Sequence, residues 1–60
     1  MKLGNLLTLI SNMTLRFYNE DNKYIGELPC TSSILESISD REVVGIEDST
    51  SSRILNVHLR

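Results

Sequence analysis

The chain has 60 residues, a net charge of −2, 40% hydrophobic and 23% charged side chains. That length holds one small domain of ordinary globular composition, and no apolar run in it is long enough to span a membrane. The slight acidic excess, six basic against eight acidic residues, excludes broad phosphate-driven nucleic-acid binding but not one small anionic ligand held by a few arginines.

Taken in chain order, Leu3, Leu6, Leu7 and Ile10 fall on one stripe and predict a helix over 2–11. Ser11-Asn12 ends it. Met13, Leu15 and Phe17 then alternate with Thr14, Arg16 and Tyr18, the period-two signature of a strand with one buried face. Asn19-Glu20-Asp21-Asn22 is a polar turn, and Lys23 to Leu28 is the returning strand of a hairpin. Pro29 closes that strand because it has no N–H for a ladder.

Thr31-Ser32-Ser33 offers helix caps, with Ser33 and Glu36 at capping-box spacing. Ile34, Leu35 and Ile38 are expected on the inner face of a second short helix ending near Ser39-Asp40. Val43 to Ile46 predicts a third strand with a bulge at Gly45. Asp48 to Ser52 is a loop. Arg53 to Leu59 is the fourth strand, with Leu55, Val57 and Leu59 on one face and Ile54, Asn56 and His58 on the other.

The order is α-β-β-α-β-β. Leu6-Leu7, Ile10-Ser11-Asn12 and Leu15 recur at a fixed offset as Ile34-Leu35, Ile38-Ser39-Asp40 and Val43, which suggests a duplicated αββ unit. The expected fold is α+β: a four-stranded antiparallel sheet with both short helices on one face.

A domain this small buries only roughly 60% of the surface of its unfolded chain and usually needs a staple. Cys30 is the only cysteine, so no intrachain disulfide forms. His58 is the only histidine, and with Cys30 it is too thin a ligand set for structural zinc. No metal or cofactor is expected. Self-association is left as the compensation, as a dimer or higher homo-oligomer. Met1 opens the chain, which reads as a complete small product. The N-terminal stretch lacks the apolar region and cleavage site of a secretion signal, so a cytoplasmic location is expected.

Catalytic residues are not expected. Cys30 lies in a loop before a helix, where a thiol pKa can be lowered, but the favoured reading is a small half-buried loop residue. Glu20-Asp21 and Glu47-Asp48 are turn-forming carboxylates without the spacing of a calcium loop. Gly4, Gly26 and Gly45 are isolated and make no phosphate loop.

The candidate site is a sheet face. If Leu15 and Phe17 face the helices, Arg16 and Tyr18 face away, together with Asn56, His58 and Arg60, and Tyr24 joins them from the second strand. Such a set fits a solvated sheet face, a subunit interface, or a ligand site that stacks bases and holds phosphate. The two edges of an open sheet can also pair with another chain.

Leu6-Leu7 with Ile10, Leu15-Arg16-Phe17-Tyr18-Asn19-Glu20-Asp21, Asp40-Arg41-Glu42-Val43 and Ile54-Leu55-Asn56-Val57-His58-Leu59 resemble small proteins of phages and prophages of Gram-positive bacteria. The resemblance implies a non-catalytic accessory protein acting in the host cytoplasm, some members of this kind being counter-defence proteins. In its sharper form it implies an oligomer that sequesters an anionic nucleotide signal, with Arg16, Arg60 and His58 on phosphate and Tyr18 and Tyr24 on bases. The alternative is a protein–protein inhibitor or adaptor that binds a host protein through a sheet edge or the polar face.

Overall fold

A computed structural model describes residues 1–49 and 53–60. They form α1 (Leu3–Leu7), β1 (Thr14–Tyr18), β2 (Tyr24–Pro29), a 3-10 helix (Ser33–Ile38), β3 (Val43–Asp48) and β4 (Ile54–Leu59). The strands make one sheet in the order β2-β1-β4-β3. The class is α+β, with the element order expected from the sequence. Residues 50–52 of the expected loop over 48–52 lie outside the described residues.

Strand chemistry decides the lanes. β1 and β4 alternate cleanly, with Leu15, Phe17, Leu55, Val57 and Leu59 buried and their neighbours half-buried, and these two strands take the centre. β2 carries Gly26 and ends in Pro29, which suits an edge. β3 has only Val43 buried and takes the other edge.

The sheet is mixed, which corrects the expectation of a wholly antiparallel one. β1–β2 and β3–β4 are antiparallel hairpins, but the central pair runs parallel, with Leu15 opposite Leu55 and Phe17 opposite Val57. The cause is the connection over residues 30–42. It lays Leu35 and Ile38 on the apolar face and so carries the chain from one end of the sheet to the other before β3 begins. A crossover of a dozen or more residues sets its two flanking strands in the same direction, so β3 runs with β2 and β4 runs with β1. The sequence correspondence between the αββ units pairs β1 with β3, yet β1 is central and β3 an edge. It does not extend to equivalent lanes.

Both helices lie on the inner face, and Leu3, Leu6 and Leu35 complete the core. Both are shorter or tighter than expected. α1 stops at Leu7, and Leu9 is left 71% exposed. The Leu9 N–H bonds to Leu6 O, an i→i−3 contact that tightens the end, while the Thr8 backbone N–H and hydroxyl both go to Asn5 O. Asn12 then turns the chain at φ 56°, a conformation asparagine tolerates.

The second helix is a 3-10 helix. With three residues per turn, Leu35 and Ile38 share its inner face and Ile34 is turned outward, 59% exposed, contrary to expectation. Ser32, not Ser33, is the cap: its hydroxyl accepts the Ile34 N–H at 3.3 Å, and the Ser33–Glu36 box does not form.

Both hairpins are irregular at their edge strands. Ile25 is an extra residue between Gly26 and Tyr24, which pair with Phe17 and Tyr18. Val44 is an extra residue between Val43 and Gly45, which pair with Leu59 and His58, in line with the bulge expected at Gly45. The first turn is fixed by Asn19, whose side-chain oxygen accepts the N–H groups of Asp21 at 2.9 Å and Lys23 at 3.0 Å.

Candidate functional site

The outer sheet face is built in two rows. Register places Glu27, Arg16, Asn56 and Glu47 side by side across all four strands. The next row is Tyr24, Tyr18, His58 and Gly45. Five of the six site residues expected from the sequence, Arg16, Tyr18, Tyr24, Asn56 and His58, therefore share one surface. Arg60 stands apart, beyond the end of β4. Its N–H donates to Glu42 O at 2.9 Å, and its main-chain oxygen accepts two bonds from Arg41, at 3.2 Å from Nε and 2.8 Å from Nη2. Its side chain is exposed.

The second row is aromatic. The Tyr18 and His58 rings stack at 5.0 Å between centroids and 21° between planes. Tyr24 meets Tyr18 edge-on at 5.9 Å and 67°. Offset-stacked and edge-to-face pairs are the favoured aromatic geometries, each worth about 0.5–1.5 kcal/mol beyond burial. The His58 ring lies beside Gly45, where an added Cβ would meet its Cδ2 at 3.7 Å, an ordinary contact.

Two carboxylates hold the Arg16 and His58 side chains. Glu27 Oε1 accepts from Arg16 Nε at 3.4 Å and from the Tyr24 hydroxyl at 3.3 Å. Glu47 Oε1 lies 2.7 Å from His58 Nε2. Arg16 and Glu27 are both partly exposed, so their pair contributes little to stability, ~0–1 kcal/mol. What these contacts do is fix the direction of the side chains. Partial desolvation of the half-exposed Tyr24 ring, followed by the nearby Glu27 charge, raises the Tyr24 phenol above its ordinary value of 10.0. Tyr24 thus stays a neutral hydrogen-bond donor.

Asn56 is the exception in this paired surface. Its Oδ1 is buried and accepts no hydrogen bond. An unpaired buried acceptor costs ~1–3 kcal/mol, and this one sits in the middle of the first row, between Arg16 and Glu47.

Glu27 and Glu47 were not candidates from the sequence. Glu47 reads there as a solvated turn former, but it lies within β3 and faces Asn56 and His58. Glu27 is three residues from Tyr24, and strict alternation puts such residues on opposite faces. The extra residue at Ile25 brings them together.

The edges are partly closed. Beside β3, Lys2 bridges to Glu42, the Val43 N–H donates to Met1 O at 2.7 Å, and the Leu3 N–H donates to Arg41 O at 2.9 Å. At the end of β2, Pro29 has no N–H, and its carbonyl accepts the Ser32 N–H at 3.0 Å. Cys30 is half-buried, packs against the core and donates its backbone N–H to Met13 O at 2.8 Å.

No family model, curated protein or solved structure matches the chain. No helix among the described residues is long and apolar enough to cross a membrane.

Proposed function

We propose that the chain is a non-catalytic binding protein that works through its outer sheet face, and that its partner is a protein. The observation that carries this is the pairing pattern: Arg16 and His58 each have a carboxylate neighbour, with the His58 ring stacked on Tyr18 and Tyr24 edge-on to it. Tyrosine and arginine fixed on a flat face are the side chains that anchor protein interfaces. The face supports this use better than the edges do, since Met1–Leu3 and Pro29 already block parts of both edges.

A nucleotide is the second ligand class, favoured by the flat Tyr18–His58 stack. An anionic nucleotide on Arg16 and His58 has to displace Glu27 and Glu47, or bind against their charge. Protein recognition needs no such displacement. Assembly into an oligomer and a phage accessory role that blocks a host component belong to the same proposal. A host protein seated on this face would be inhibited by occupancy alone.

Quantitative capture from a Gram-positive bacterial lysate tests the proposal, using wild type, Tyr18→Ala and Ile34→Ser as baits. A stoichiometric protein held by wild type and Ile34→Ser, but lost with Tyr18→Ala, is the expected result. Equal capture by all three baits contradicts use of the outer face. Calorimetry with cyclic and linear nucleotides tests the second class, and heat with one of them at micromolar concentration would favour it over a protein partner.

A further inference from the structure

The sheet has two edges, β2 and β3, and they are not alike. On β2 the Cys30 N–H bonds to Met13 O, and alternation from there turns the backbone groups of Leu28 and Gly26 toward β1 and those of Glu27 outward. Pro29 has no N–H, and the extra residue at Ile25 interrupts the strand on the other side. A second β2 centred on Glu27 would set that carboxylate against its own copy, which like charge disfavours.

β3 is more open. The Ser49 N–H bonds to Ile54 O, so Glu47 and Gly45 turn their backbone groups toward Asn56 and His58, and those of Ile46 and Asp48 point away from the sheet. Val44 and Ile46 are 52% and 43% exposed, although Ile46 lies opposite the fully buried Val57 on the core side. The N-terminal segment covers only the start of this edge, where Met1 O accepts the Val43 N–H. Charge changes sign along it. Beside the covered start, Lys2, Arg41 and Arg60 stand against Asp40 and Glu42; at the far end, Glu47 and Asp48 stand against Arg53.

A second copy of the chain fits this edge in one register. Parallel pairing in register sets Glu47 and Asp48 against themselves, and antiparallel pairing centred on either residue does so for that residue. Antiparallel pairing centred on Gly45 lays the incoming Glu47 and Asp48 over the space that Met1 and Lys2 occupy. We propose that two copies join β3 to β3, antiparallel and centred on Ile46, in a two-fold dimer with one continuous sheet. Each Ile46 then packs on its own copy and exchanges backbone bonds with it, and the acidic end of each edge meets the basic end of the other. Gly45 lies opposite Glu47 of the second copy, so the row Tyr24, Tyr18, His58, Gly45 continues across the interface. The dimer supplies the self-association included in the proposed function. Its test reads mass and not capture, so the two can fail separately.

The test is sedimentation velocity of the full chain from micromolar to millimolar concentration. A species of twice 6.8 kDa is expected. Ile46→Lys places like charges together at the two-fold axis and removes the apolar contact, and should weaken association about tenfold or more. Ile25→Lys, on the β2 edge, should leave it unchanged. Dilution of the ¹⁵N-labelled wild type should move the Ile46 and Asp48 amides and leave Glu27 in place, a readout that needs no variant. A monomer at millimolar concentration would overturn the proposal. So would undiminished association of a folded Ile46→Lys, loss of the dimer in a folded Ile25→Lys, or dilution shifts confined to β2.

Discussion

Replacing Asn56 with valine should make the protein more stable. Asn56 Oδ1 is buried on the outer face of the central strand β4 with no donor. Relieving an unpaired acceptor recovers ~1–3 kcal/mol. Valine also suits a half-buried strand position better than asparagine, on a scale spanning ~1 kcal/mol. Against this stands the lost hydration of the amide nitrogen, so a net gain of about 1 kcal/mol is expected. In a domain of this size, that raises Tm by roughly 4–8 °C. Thermal denaturation by circular dichroism, on wild type and Asn56→Val side by side, measures it. An unchanged or lower Tm with a native spectrum would refute the reasoning: Oδ1 would then be satisfied in solution and not held open.

Four other outcomes follow from the same contacts. Leu15→Ala truncates a fully buried side chain paired with Leu28 and Leu55. Its cost of ~2–5 kcal/mol is a large share of a total stability of roughly 3–9 kcal/mol for a chain of this length, so urea titration should find a much lower midpoint. Gly26→Ala places an L side chain at φ +148° and should lower stability by about 1–3 kcal/mol, seen as a lower urea midpoint. The Tyr24 phenol should ionise above 10.0 in an ultraviolet titration, and Glu27→Gln should lower it only in part, because desolvation is the larger cause and remains. Since the folded state then holds that proton more tightly than the unfolded state, this contribution to stability is present below pH 10.0 and is lost as pH rises through the folded value.

The parts of this fold that were legible in the sequence are those written in local pattern. Leu15 and Phe17, and Leu55, Val57 and Leu59, announce their strands and buried faces by strict alternation. Pro29 marks an edge, and Gly45 lies beside a bulge. Strand direction was not legible, because the parallel β1–β4 pair is set by where residues 30–42 deliver the chain, which no local spacing encodes. The second helix reads as an α-helix, since Ile34, Leu35 and Ile38 fit a 3.6-residue period. Only the tighter 3-10 turn reveals that Ile34 faces out. Of the candidate site, the residues on β1 and β4 could be placed by parity alone. Glu27 and Glu47 could not, because the bulges at Ile25 and Val44 shift parity in the edge strands that carry them. A hairpin register pinned by Asn19 was the one available clue to Glu27.

The outer face as the binding surface is tested most directly by mapping amide shifts of the ¹⁵N-labelled chain on addition of its captured protein partner. Shifts and broadening should cluster on Arg16, Tyr18, Tyr24, Asn56 and His58, with Leu35 and Ile38 on the helical side unmoved. Changes confined to the helical side, with Tyr18 and His58 untouched, would contradict it.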